Sequence, residues 1–247
     1  MKTLSAIIFF IFVLMSPVLA AQAEWKLPAK ERVVFKIKWL GVTAGEIVSE
    51  IRGIEELRGR KVYRIEVTAR TVGVCSALYL VEDKFVSYLD VENLYTLRHE
   101  VHRREGMYKK DAVIDFDQVK HRAYFKSASD AREKSFMIAP GTQDTVTAAY
   151  VARTFDLRPG KNFEIKVFNN EQNYTIDLGI GKMLKMRTVG KKEPVDVVRL
   201  QPRARYKNNV VRAGRLNGYV EAVPGHAPVF IVIKAPVFTR VTATRVN

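Results

Sequence analysis

Residues 62–90, VYRIEVTARTVGVCSALYLVEDKFVSYLD, constrain the fold more than any other stretch of this chain. Tyr63, Ile65, Val67 and Ala69 alternate with Arg64, Glu66, Thr68 and Arg70, the period of a half-buried strand. A second alternation, Val81, Asp83, Phe85, Ser87 and Leu89 against Glu82, Lys84, Val86 and Tyr88, follows close behind. Residues 72–80 between them hold the only cysteine and no charge. They are expected to form a short buried helical plug over which a curved sheet folds, with Cys75 a structural thiol rather than a nucleophile.

The same alternation recurs along the chain. Val33, Phe35, Ile37 and Trp39 oppose Lys36 and Lys38 over residues 31–40, Gly41 turns, and residues 45–51 return; residues 55–61 read as a loop. Strands are expected at 97–105, 108–117, 121–126 and 134–139. Pro140-Gly141 marks a boundary, and Asp144 is placed to cap a helix over 145–155, with Val146, Ala149 and Tyr150 on one side. Seven further strands are expected at 163–168, 174–178, 183–189, 195–200, 216–222, 229–233 and 237–244. The fold class is therefore mostly β: antiparallel curved sheets, an incomplete barrel or a two-lobed β arrangement, with one longer and one short helix. Residues 24–139 form the first half and 140–247 the helix with the second half, read as one continuous domain without a separating linker.

The first residues carry an address. Lys2 precedes an apolar run at 6–15, Ser16-Pro17 breaks it, and either Ala21-Gln22-Ala23 or Val18-Leu19-Ala20 offers small residues for cleavage. The run is too short to span a bilayer, so residues 1–23 read as a cleavable signal peptide leaving no transmembrane segment. No cysteine follows the run, which closes the lipoprotein route and leads to the periplasm. Cys75, being single, has no partner for a disulfide, and the fold has to rest on its core.

The net charge is +15, and Lys2 is the only charged residue of 1–23, so +14 remains after cleavage. In an exported protein such charge points to anionic lipid or glycan rather than to nucleic acid, or to a basic solvated surface. Residues 182–215 hold eleven lysines and arginines against two acids.

Catalytic signatures are missing from the sequence. It contains neither a G-x-S-x-G elbow nor a phosphate-binding glycine loop. His99-Glu100-Val101-His102 is one residue short of H-E-x-x-H, and on a strand positions three apart face opposite ways, so no metal site is expected. Asp115 and Asp117 share a face with Asp111 but precede the turn at 118–120, where aspartate commonly caps. His121 and His226 stand without a nucleophile. No enzyme and no cofactor is expected. The candidate ligand-binding residues are Arg98, Arg103, Tyr108 and Lys109 on the charged 97–110 hairpin, with Lys185 and Arg187 from the basic segment. Arginine with tyrosine can hold an anion by charge-assisted bonds, whereas cross-strand pairing with Glu100 or Asp111 is the alternative role.

The chain resembles an exported bacterial family, domain of unknown function 3108. The resemblance is carried by Gly45 after Val42-Thr43-Ala44, by Thr68-Ala69-Arg70-Thr71, and by Val81-Glu82-Asp83-Lys84-Phe85 with Ser87-Tyr88-Leu89-Asp90. Leu97-Arg98, Glu105-Gly106-Met107-Tyr108-Lys109-Lys110, Asp115-Phe116-Asp117 and the segment from Asp144 through Tyr150 to Arg153 extend it. Toward the C-terminus, where members often have a Trp-containing strand and an acidic turn, this chain reads Gly218-Tyr219-Val220-Glu221-Ala222. The resemblance implies location and fold and brings no activity. The functional expectation is an exported, non-enzymatic protein that binds an amphiphilic or anionic envelope component, lipid or glycan. A protein-interaction scaffold in the envelope is the alternative, and an uncharacterised hydrolase the third reading.

Overall fold

The computed structural model of the protein describes residues 26–207, 209–211, 215–234 and 240–247; the signal-peptide reading of residues 1–23 lies outside them. The alternating segments become strands. The first half holds β1 (Glu31–Trp39), β2 (Val42–Leu57), β3 (Arg60–Thr71), β4 (Glu82–Asp90), β5 (Thr96–Glu105), β6 (Tyr108–Asp117), β7 (Arg122–Ser127) and β8 (Glu133–Met137). The second holds β9 (Asn162–Asn169), β10 (Gln172–Met186), β11 (Val195–Tyr206), β12 (Asn209–Val210), β13 (Arg215–Glu221), β14 (Pro228–Lys234) and β15 (Arg240–Arg245). A short helix α1 (Val74–Leu78) lies between β3 and β4, and a longer one, α2 (Thr145–Ala152), follows β8.

All fifteen strands join one antiparallel sheet in the order β8-β7-β6-β5-β4-β3-β2-β1-β15-β14-β13-β11-β10-β9, with β12 beside β11. β1 pairs with β15 at the centre, and the sheet is curved but not closed. Its two edges approach each other through side chains: Lys134 Nζ lies 2.7 Å from Glu171, Asn173 donates to the Met137 carbonyl at 2.7 Å, and Phe136 packs on Phe168. α2 occupies the interior, where Tyr150 and Val151 pack on Ile51, Tyr63, Ile65 and Leu89 of the first half. Ala152 packs on Ile165, Leu178, Val198 and Leu200 of the second.

Two features of the strands differ from the sequence reading. Residues 55–61 are not a loop: β2 runs to Leu57, and only Arg58 and Gly59 turn before β3. Residues 174–178 and 183–189 do not form two strands, because β10 continues through a bulge between Ile180 and Met183. Gly181 looks like a turn residue but serves a close approach, since a Cβ there would meet Arg199 Nε at 2.8 Å. Gly45 behaves alike, its missing Cβ leaving room for the Arg70 carbonyl, which a Cβ would meet at 2.6 Å. α2 ends at Ala152 rather than at 155.

The largest correction concerns residues 72–80. β3 and β4 pair with each other as far as Arg70 and Glu82, so the intervening residues loop off the end of the sheet, and the interior they were expected to fill is taken by α2. α1 has no buried residue; Val74, Leu78, Tyr79 and Leu80 are exposed and Cys75 is half-buried. Cys75 is therefore expected to react with a maleimide in the folded protein at a rate within about tenfold of the unfolded chain. Complete protection until denaturant is added would refute this placement.

Candidate functional site

The concave face and α2 enclose a trough of about 480 Å³. One wall comes from the centre of the sheet, where Val33 and Phe35 of β1, Ile47 of β2, Ile231 of β14 and Ala243 of β15 turn inward by strand alternation. Ile165, Leu178 and Leu200 extend this wall across the second half. The opposite wall is α2, which contributes Val146 and Tyr150 and, between them and beyond, the small side chains of Ala148, Ala149 and Ala152. Three alanines on an eight-residue helix help to leave the volume open, since larger side chains at Ala148 and Ala152, which pack toward the sheet, would fill it, whereas Ala149 stands at its exposed mouth.

Polar groups at this trough are few and satisfied. Tyr150 Oη lies 2.8 Å from Ser49 Oγ, and burial pushes the Tyr150 phenol up to about 12, against a lowering by that bond, so it stays neutral. Arg153 is buried, donates to both Glu31 oxygens at 2.6 and 2.7 Å and to the Gly225 carbonyl, and lies over the Tyr150 ring. This clamp closes the end of the trough where β1 begins and β13 turns into β14. Exposed Leu216 at the other end, and Thr145 and Ala149 on the helix, mark its open side.

α2 is held over the trough by a buried polar network that closes around Asp144. Its carboxylate accepts from the Val146 and Thr147 amides and, from elsewhere in the fold, from Ser87 at 3.1 Å and Thr96 at 3.1 Å. Thr147 Oγ1 bonds back to the Asp144 amide, completing a capping box. His99 Nδ1 joins at 2.9 Å from Ser87 Oγ and 3.5 Å from Asp144. Ser87 and Asp144 thus meet the same ring nitrogen, and Ser87 is fully buried, so the trio anchors the helix instead of presenting a nucleophile.

The residues singled out from the sequence are distributed over both faces. Arg103 turns inward and lines a second, smaller cavity of about 240 Å³ with Phe85, His99, Lys110 and Phe125. Its guanidinium lies over the Tyr108 ring, so these two do come together, and Glu105 and Asp83 pair with it. Burial first, and then the neighbouring Glu105, push the Asp83 carboxyl up against the Arg104 amide that it accepts. Arg98 lies on the convex face, bonded to Glu100 at 3.0 Å, and Lys109 is exposed on the same side. Arg98 and Tyr108 therefore share no site. Lys185 pairs with Asp196 on the surface, and Arg187 follows the end of β10, exposed. The basic residues of 182–207 are strung along the β10–β11 ladder rather than gathered.

His99 and His102 point to opposite faces, His102 bonding Asp111 at 2.9 Å. That bond first, and then Arg104, hold the Asp111 carboxyl below its usual range. Asp117 accepts from the Lys120 amide and caps the turn. Among the described residues no group of three potential metal ligands converges. Sequence reading missed the trough, Ser49 and the Ser87–His99–Asp144 convergence; the alanine-rich helix face was the available signal.

The family described as "Protein of unknown function (DUF3108)" matches residues 34–244. Among solved structures, the chain is similar to a β-barrel-like protein of domain of unknown function DUF1849 from Brucella abortus, with a TM-score of 0.61 and 8% identity, covering 90% of this chain and 97% of that one. A protein from Bacteroides fragilis assigned as exported, with a YmcC-like fold, matches at a TM-score of 0.35 and 6% identity, over 90% of this chain and 97% of that one. No curated protein matches the chain. Among the described residues no helix is long and apolar enough to cross a membrane.

Proposed function

The chain belongs to the DUF3108 family, and from its open apolar trough we propose that it is an exported, non-enzymatic protein that binds an amphiphile of the cell envelope by its hydrocarbon part. The observation that carries this reading is the trough itself, about 480 Å³ and walled almost entirely by aliphatic and aromatic carbon. That volume falls inside the about 300–1,000 Å³ of ligand pockets. An acyl chain laid along such a surface removes its own apolar area and that of the trough from water, at about 25 cal/mol per Å². A glycan would need several convergent polar groups, and Tyr150, Ser49 and Arg153 are already engaged with one another and with Glu31. This favours lipid over glycan as the ligand. The scaffold alternative has less support, since Arg103 and Arg104 are answered by Glu105 and Asp111.

Native mass spectrometry of gently purified protein, with displacement of a fluorescent fatty acid, tests the reading. Wild type is expected to carry or take up one chain. Ala149→Trp, which places an indole in the trough from an exposed helix position, is expected to weaken the probe by about tenfold or more with little change in melting temperature. Uptake unaffected by Ala149→Trp, or no uptake by wild type, would overturn it.

A further inference from the structure

The end of the sheet at which the trough opens has a second property. Three successive connections project there: the turn between β1 and β2, the α1 segment, and the turn between β5 and β6. Backbone bonds tie the α1 segment to the start of β2, Val72 N to the Ala44 carbonyl at 3.0 Å, and to the β5–β6 turn, Gly106 N to the Leu80 carbonyl at 2.7 Å, so the three lie side by side as one rim. The rim carries apolar side chains outward. Leu40 is 68% exposed, Leu78 77% and Met107 100%, with Trp39, Val74 and Tyr79 also exposed. Connections at a sheet end are ordinarily polar, and a contiguous apolar set of this kind marks an interaction surface.

Cations accompany it. Lys38 on β1, Lys109 on β6, Lys234 on β14 and Arg240 on β15 all lie at this end of their strands. All four are exposed, and none has an ion-pair partner among the described residues. An apolar edge flanked by unanswered positive charge matches the interface of an anionic bilayer, where hydrocarbon lies beneath negative head groups.

We infer that this rim docks the protein onto a membrane surface rich in anionic lipid, with the apolar side chains entering the interface and the lysines meeting head groups. Docking in this orientation turns the open side of the trough toward the lipid, but the inference rests on the rim alone and does not depend on what the trough holds.

Sedimentation with vesicles of phosphatidylethanolamine and phosphatidylglycerol tests it, read alongside the fluorescence of Trp39 in a Trp25→Phe background. Binding is expected, with a blue shift of Trp39 and quenching by brominated acyl chains. Leu78→Ser with Met107→Ser is expected to lower vesicle affinity by about tenfold or more, with the fold retained because both side chains are exposed. Lys109→Gln should lower it by about fivefold, and raised salt should weaken wild type. Ala149→Trp should bind vesicles as wild type does, which separates this surface from the trough. Equal binding to phosphatidylcholine vesicles, absence of a Trp39 shift, or concentration-dependent dimers that bury the rim without vesicle binding would each overturn the inference.

Discussion

Asp144→Ala is expected to lower the melting temperature by about 10 °C, corresponding to about 4 kcal/mol in a chain of this length. The side chain is fully buried and accepts from two first-turn amides of α2, from Ser87 of β4 and from Thr96 of β5. Losing an N-cap alone costs about 1 kcal/mol. The larger part comes from the orphaned partners, since each buried donor left without an acceptor costs about 1–3 kcal/mol. Ser87 retains His99 as a partner and Thr96 retains Thr147, which keeps the total below the full sum. Asp144→Asn keeps an acceptor at the cap and should recover about half of the loss. Thermal unfolding followed by circular dichroism decides the matter: a shift of Asp144→Ala smaller than about 2 °C would show that the network does not hold the helix. Because α2 is one wall of the trough, the same variant should also weaken fatty-acid binding at temperatures where it remains folded.

Asp90→Ala is the second large effect, expected at about 3 kcal/mol. Asp90 is 1% exposed at the end of β4. One oxygen bonds Arg60 Nε at 2.6 Å, and the other accepts from the Glu92 and Asn93 amides and the Asn93 side chain, closing the turn into β5. Burial pushes its carboxyl up, but the bonds from Arg60 and Asn93 outweigh burial and hold it below the usual range. A carboxyl depressed by folding stabilises the native state above its unfolded value, near pH 4, and that contribution is lost as pH falls through the folded value. Wild type should therefore lose stability below about pH 4, and Asp90→Ala should show a shallower decline over the same range. Parallel acid curves for the two proteins would contradict the assignment.

Much of the fold was legible in the residue order. The alternations of 31–40, 62–71 and 108–117 became β1, β3 and β6 because side-chain direction in a strand is a local property of period two. Asp144 was legible as a cap for the same reason: the bond it makes to its own helix spans three residues. Errors arose where a local signal had two readings. The sequence reading ended one strand at 178 and began another at 183, whereas β10 runs on through a bulge, with Gly179 and Gly181 where it and its neighbours approach closely. The uncharged stretch 72–80 suggested a buried plug, yet burial depends on which segment reaches the interior. The candidate residues shared this weakness, for alternation assigns Arg98 and Arg103 to opposite faces without saying which face is concave.

What the sequence determined by itself was most of the strands and the capped helix, all governed by contacts within a few residues. What only the tertiary structure decided was which faces turn inward, that α2 and not α1 fills the sheet, and that alanines there leave a trough. Those outcomes rest on pairings such as Phe35 with Arg245 and on bonds such as Ser87 to Asp144. Contacts of that reach arise from chain closure, whose free energy belongs to the whole sheet and has no local pattern to announce it.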